Sequence, residues 1–400
     1  MQWDVIVIGA GPAGCFTAAK IARAGFKTLV IEEHSEIGRP VQCAGLISPR
    51  ALELSGADDS VVINRLKGLL VLSPLGAGLQ VESENDIALA IDRSSFDRNL
   101  AENAQEAGAI FLKGMRTERI EPEKDGFLVH VSGIENHSAF KTKLLIGADG
   151  ANSSVAEWLR LERSAYKAVM YSAEAEMKNR DPGLISIFLG RNLAPGWFGW
   201  IIPLDEKACR VGTGYALMKP DASPRQYFQH MTEVYPQFFK ELKITKYTGG
   251  WVPLGRMPRI YAFHAMLVGD AACQVKPVSG GGIFMGLRGA HLCAQTAIEA
   301  LSENNLSEEK LSSYQRRWEE DMREEIDCAM MLRQRFMDFG DEDIDLAIRL
   351  LSKPSFKELI IKNGDIDYPS QLAKKLLSLI PADGRALKSA LKLAEKIRLI

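Results

Sequence analysis

Gly9-Ala10-Gly11-Pro12-Ala13-Gly14 is a G-x-G-x-x-G run, and its chemistry is that of a phosphate cradle. Glycines at these positions permit a tight turn, close backbone approach to a pyrophosphate and close helix packing, with the helix's positive N-terminus facing the anion. Glu32 follows 18 residues after Gly14, at the end of the next apolar run. A carboxylate placed there accepts hydrogen bonds from ribose hydroxyls, so the set predicts a dinucleotide-type ligand. Two more glycine turns end apolar runs. In Gly147-Ala148-Asp149-Gly150 the backbone can crowd a ligand, and in Gly269-Asp270 the carboxylate can accept from a hydroxyl. Pro277-Val278-Ser279-Gly280-Gly281-Gly282-Ile283 puts three glycines before a helix, either as a flexible linker or as a second helix N-terminus aimed at a ligand. Arg93 and Arg98 flank Phe96-Asp97 on a predicted helix, as site cations or as a solvated basic face.

The elements that position these residues follow from periodicity. Asp4 to Ile8 is a β-branched run of the kind buried in a parallel sheet. A helix to about Ala24, stopped by Gly25, and a strand at Thr28 to Ile31 complete a βαβ unit. Further strands are expected at 67–72, 78–81, 88–91 and 144–148, with helices near 50–55 and 94–107. From about Ala165 to Val252 the chain is β-rich, with strands at 168–177, 184–189, 199–203 and 208–215 and one helical insert, 224–235. Ala265 to Asp270 returns to buried-strand character, and Ile283 to Leu301 is a helix. Beyond Ser307 the pattern is helical, broken at Gly340, Gly364 and Pro381.

The chain has 400 residues, 46% hydrophobic and 25% charged, with a formal net charge of -2, so no general attraction to nucleic acid is expected. Six scattered cysteines form no C-x-x-C pair and no metal-ligand spacing, which predicts no metal site and a reducing, cytoplasmic setting. No leader pattern precedes the first strand, and no run of about 18 apolar residues occurs, so a membrane-spanning chain is not expected.

Taken in order, G-x-G-x-x-G, D-G and G-D resemble the glutathione-reductase-type FAD proteins related to p-hydroxybenzoate hydroxylase. Over essentially the whole chain the sequence is most similar to the geranylgeranyl reductase family, in particular the archaeal enzymes that hydrogenate isoprenoid chains of membrane lipids. The resemblance is carried by Gly38-Arg39-Pro40-Val41-Gln42-Cys43-Ala44-Gly45, Asp92 to Arg98, Gly250-Trp251-Val252-Pro253 and Gly269-Asp270-Ala271-Ala272, with Pro277 and Gly280 to Ile283. The family's Y-x-W-x-F-P appears as Phe198-Gly199-Trp200-Ile201-Ile202-Pro203, with two aromatics changed.

The resemblance implies an α/β fold with α+β elements. A discontinuous glutathione-reductase-type Rossmann FAD domain (1–65, 92–164, 260–305) would join an antiparallel β-sheet substrate domain (66–91, 165–259) and a C-terminal helical region (306–400). It implies FAD held by Gly9, Gly11, Ala13, Gly14, Glu32, Arg39, Cys43, Ala44, Gly45, Arg98, Arg116, Asp149, Asp270, Gly281, Gly282 and Ile283. The glycine-started helix at Ile283 would face flavin N1 and O2. A polyprenyl pocket would be walled by Phe198, Trp200, Ile202, Pro203 and Trp251.

Saturating an isolated C=C needs hydride from N5 of reduced FAD and a proton on the other carbon, in a dry pocket. Cys43 is the expected catalytic residue, as proton relay or alkene-positioning group, against the alternative of a small residue packed on FAD. No second G-x-G-x-x-G occurs, which fits an external electron donor, ferredoxin-like or other, and equally fits flavin hydroxylases, which also lack a separate NAD(P)H domain. The same motifs serve flavin monooxygenases or epoxidases and non-redox cyclases or isomerases. Lys388, Lys392 and Lys396, with Leu387, Leu391, Ala394 and Ile397 as an apolar stripe, form a basic amphipathic helix, read either as a cap packed on the protein or as a peripheral membrane contact.

Overall fold

Val5, Ile6 and Val7 are fully buried in the computed structural model, so the first strand, Gln2–Ile8, is covered on both faces, as its unbroken apolar run requires. The structure describes residues 2–134, 136–216 and 219–378. The basic helix expected around Lys388 to Lys396 lies outside them.

Gln2–Ile8 pairs in parallel with Thr28–Glu32 on one side and His137–Gly147 on the other. Ile110–Lys113 and Ala265–Leu267 extend the same layer in parallel. An antiparallel hairpin, Arg116–Glu123 and Gly126–Ser132, is joined to His137–Gly147. Helix Pro12–Arg23 packs against both Arg93–Glu106 and Ile283–Ser302, so segments far apart in sequence share one core.

The second sheet has seven strands in the order Lys243–Leu254, Tyr166–Glu176, Ala208–Tyr215, Gly199–Pro203, Leu184–Phe188, Gly68–Leu72, Gly78–Glu82. All neighbours are antiparallel except Leu184–Phe188 with Gly68–Leu72. Side chains alternate across it. Phe188, Ile201 and Val211 pack on helix Pro224–Val234 and on Phe238 and Phe239. Trp200, Ile202, Ile185 and Ala168 form the opposite face, with Ala44 and Leu46 packed against it.

Two boundaries differ from those drawn on the sequence. Ala88–Ile91 pairs with Leu46–Ile47 and Val62–Leu66 in a separate three-stranded sheet. Its alternating side chains stitch the two cores together, Leu89 and Ile91 entering the first and Ala88 and Ala90 the second. The C-terminal helices have no core of their own among the described residues. Glu308–Asp338 sends Leu311, Tyr314, Trp318, Met322 and Ile326, spaced three or four apart, into the Rossmann core, and Asp341–Leu351 covers Leu79 with Ile344 and Ile348.

Candidate active site

The three glycines of the first turn are there for different reasons. A Cβ at Gly9 would stand 2.4 Å from the Ala148 carbonyl oxygen, and one at Gly14 would stand 2.1 Å from that of Gly9, so these two serve the turn's own packing. A Cβ at Gly11 meets nothing within 4 Å. Gly11 is the N-cap of helix Pro12–Arg23 and no side chain caps it, so the open space lies at amides left free for an anion.

Glu32 ends the second strand. Its Oε2 accepts the Ala10 N–H at 2.8 Å, and its Oε1 accepts the His34 N–H at 2.9 Å and lies 2.6 Å from His34 Nδ1. The Met115 N–H donates to the Glu32 carbonyl at 3.0 Å, which sets Arg116 beside it. The Asp149 carboxylate turns inward, accepting from the Ser153 hydroxyl at 2.6 Å and the Val155 N–H at 3.0 Å, so its oxygens hold the turn rather than reaching outward.

A second uncapped helix start faces the same region. Gly282 is the N-cap of Ile283–Ser302 without a side-chain cap, and an added Cβ there would stand 2.8 Å from Asp270 Oδ1. Gly281 closes the preceding loop, its carbonyl accepting the Lys276 N–H at 3.2 Å. Gly269, at φ +68°, lets the backbone pass Ala13, whose Cβ would be 3.0 Å from one on Gly269. Gln274 fixes this corner: its Oε1 accepts the Gly269 N–H at 2.7 Å and its Nε2 donates to the Tyr314 hydroxyl at 2.8 Å, which donates to the Leu267 carbonyl. No described residue hydrogen-bonds the Asp270 carboxylate. Burial pushes its pKa up to about 6, with Arg93 pulling the other way.

Two uncapped helix N-termini, an open glycine between crowded ones and a desolvated acceptor with no partner fit FAD, with its pyrophosphate at Gly11 and a hydroxyl at Asp270.

The loop that carries Cys43 lies between this region and the second sheet. Cys43 Sγ accepts the Gly45 N–H at 3.3 Å. Arg93 grips Asp97 bidentately, Nε to Oδ1 at 3.1 Å and Nη2 to Oδ2 at 2.9 Å, and also interacts with the Cys43 thiol. Burial opposes its charge, but Asp97 and Cys43 outweigh it and the Arg93 pKa is raised. Arg98, by contrast, is exposed and donates to the Ser95 hydroxyl at 3.0 Å. Arg39 is also exposed, 3.5 Å from Glu36. From the sheet, Arg210 Nη1 donates to the carbonyls of Ala44 at 3.0 Å and Ile91 at 2.9 Å, pinning the loop; Gly45 is a glycine because a Cβ would stand 2.2 Å from that nitrogen.

Of the expected pocket wall, Phe198, Trp200 and Ile202 come together: Phe198 and Trp200 rings lie 5.9 Å apart, and all three belong to one apolar cluster. Pro203 alternates to the other side, lining a cavity with Ile201 and Phe238. Trp251 is outside the cluster, its Nε1 donating to Asn152 Oδ1 at 3.1 Å beneath Arg163 and Lys167. Trp197 joins the wall, stacked on Phe198 at 5.0 Å, and packs against Gly280, where a Cβ would be 3.1 Å from its ring. The aromatic wall therefore abuts the glycine loop that starts the second helix.

Sequence reasoning missed Arg210, Trp197 and the Gln274–Tyr314 pair. Arg210 carried a signal, a charge between Cys209 and Val211 in an otherwise apolar strand; a buried arginine there needs acceptors, and the loop supplies them. The Gln274–Tyr314 link joins residues 40 apart and left no local trace.

The chain matches the FAD binding domain family over residues 2–323. It is 31% identical over 380 residues to an uncharacterized protein of Methanocaldococcus jannaschii, covering 94% of this chain and 95% of that one. It is 31% identical over 369 residues to the digeranylgeranylglycerophospholipid reductase of Methanosarcina acetivorans, covering 89% and 90%. A geranylgeranyl bacteriochlorophyll reductase-like protein of Thermoplasma acidophilum superposes with a TM-score of 0.83 at 24% identity, covering 94% of this chain and 99% of that one, a likeness of fold. With the glycine turns, the paired helix N-termini and Asp270 already fitting the cofactor, the chain belongs to the FAD binding domain family, as an FAD-dependent oxidoreductase related to the digeranylgeranylglycerophospholipid reductases.

Proposed function

We propose that the protein saturates C=C bonds in geranylgeranyl-type polyprenyl chains of membrane lipids. The observation that carries this reading is the apolar wall of Trp197, Phe198, Trp200 and Ile202, which abuts the Gly280 loop on one side and packs with Ala44, next to Cys43, on the other. A long hydrocarbon needs such a surface and little else. The names of the archaeal relatives support the same substrate class.

FAD bound at the two helix starts supplies the hydride. The chain's own residues do the rest. The wall excludes water and lays the alkene along the sheet. Cys43 is the residue proposed to give a proton to the second carbon or to hold the alkene, and Arg93, anchored by Asp97, interacts with its thiol and supports this reading. Arg210 fixes the backbone of Ala44 so that the loop keeps this geometry against the sheet.

We further propose an external, ferredoxin-like electron donor and a cytoplasmic protein with peripheral membrane contact; no helix among the described residues is long and apolar enough to cross a membrane. Incubating the reduced protein with geranylgeranyl lipid under anaerobic conditions tests the reading. Each saturated bond adds two hydrogens. Substrate-dependent oxygen uptake in air, or rearrangement with no change in hydrogen count, overturns it.

A further inference from the structure

The sheet face that carries Trp200 and Ile202 changes character toward one end. Ile202 pairs with Arg210, Arg210 with Glu174 and Glu174 with Lys246, so four neighbouring strands present one rung on the same face, apolar at one side and charged along the rest. Beyond the charged part lies a cleft of about 610 Å3, walled opposite by the loop of Arg39 and the helix start at Arg93. Some of its charges are already committed. Asp92 caps its helix through Ser94 and Ser95, and Arg93 is held by Asp97. Others are held less tightly. Lys246 is exposed, its side chain with no ion pair or hydrogen bond among the described residues, and Arg210 Nε is buried without a hydrogen bond, its ion-pair partner Glu174 standing 3.5 Å away.

A buried guanidinium N–H whose neighbouring carboxylate oxygen stands 3.5 Å away is weakly satisfied and can take a better-placed anion. Here it stands one strand from the apolar cluster of Trp200 and Ile202, so a head group held in the cleft would sit beside that cluster. We propose that this cleft holds the phosphate of the substrate's head group, with Arg210 on its floor and Lys246 at its mouth. The assignment rests on the polyprenyl reading above and adds to it a reason for preferring phosphorylated over neutral lipids.

The test compares geranylgeranyl phosphate with geranylgeraniol on the FAD-loaded protein, reading Kd from the flavin absorbance change and turnover separately. Lys246→Glu should weaken geranylgeranyl phosphate about tenfold, the value of one charge-assisted contact, and leave geranylgeraniol within about twofold. Glu174→Gln should act with the opposite sign, tightening the phosphate ligand alone, which no folding defect produces. Equal effects on both ligands, or none on either, overturn the proposal. If Lys246→Glu instead slows flavin reduction by NADPH and leaves geranylgeranyl phosphate Kd unchanged, the cleft reads the phosphate of a reducing dinucleotide and the lipid-head assignment falls. Wild-type protein that binds both lipids but saturates neither refutes the reductase reading, while the Kd contrast still decides the phosphate site.

Discussion

Asp270 is the residue whose replacement separates stability from function most cleanly. Its carboxyl ionises at an ordinary 3.8 in the unfolded chain but holds its proton until about pH 6 in the fold, because burial strips it of water. The raised value means that the folded state binds the proton more tightly. Folding is therefore helped at low pH, and this help disappears as pH climbs from about 4 to about 6. Above that the ionised carboxylate costs about 3 kcal/mol, taking ~1.4 kcal/mol per pH unit. Asp270→Asn keeps the shape and removes the charge. FAD-stripped variant protein should melt about 4 °C above FAD-stripped wild type at pH 7.5, given ~2 cal/mol/K of unfolding entropy per residue, with the gap closing toward pH 4.5. The same substitution should weaken FAD binding about tenfold or more, since a hydroxyl loses a charged acceptor. Thermal unfolding of both apoproteins at the two pH values is the assay. A variant no more stable at pH 7.5, or a gap that does not depend on pH, refutes the picture of a carboxylate kept desolvated for a ligand.

Gly11→Val should leave the fold intact, because nothing lies within 4 Å of the new Cβ, yet yield a colourless protein, because the side chain occupies the pyrophosphate's place; a yellow Gly11→Val protein with full FAD content contradicts the assigned site. Cys43→Ser should retain FAD and slow alkene reduction roughly 100-fold if the thiol handles the proton, and Cys43→Ala should separate that from packing. Unchanged turnover in both leaves Cys43 as a packing residue. Truncation after Pro381 should abolish low-salt flotation on anionic liposomes, since the residues removed, 382–400, carry five basic residues against Asp383 and Glu395; equal flotation with and without the segment removes it as the anchor.

Legibility followed locality. The first βαβ unit was readable because its turn, helix start and carboxylate sit within about 30 residues and each obeys a local rule. Strands such as Gly199–Pro203 and Ala208–Tyr215 were equally plain from their apolar runs between breakers. The hairpin of Arg116–Glu123 and Gly126–Ser132 was not, because its first strand, R-T-E-R-I-E-P-E, fully buries none of its residues and shows no apolar stripe. Ala88–Ile91 was read as a strand, but its partners lie in Leu46–Ile47 and Val62–Leu66, a pairing that periodicity does not encode. At the site, the glycines and Asp270 announced themselves. The relative importance of Arg93 and Arg98 did not, since five residues, about 140° around a helix, put one toward the core and the other toward water. Trp251 and Pro203 belong to apolar-looking motifs, yet strand alternation turns both away from the wall formed by Trp200 and Ile202.

The central claim is that this chain adds hydrogen across isolated double bonds of a polyprenyl lipid. Mass spectrometry of a geranylgeranyl phospholipid after anaerobic turnover with dithionite-reduced protein in deuterated water addresses it directly. Saturation should appear as mass steps of one added pair of deuterium atoms per double bond, because the N5 hydrogen of dithionite-reduced flavin and the added proton both come from solvent, and Cys43→Ala should lower the rate of those steps without removing FAD. An unchanged lipid mass with fully loaded, fully reduced protein would contradict the account.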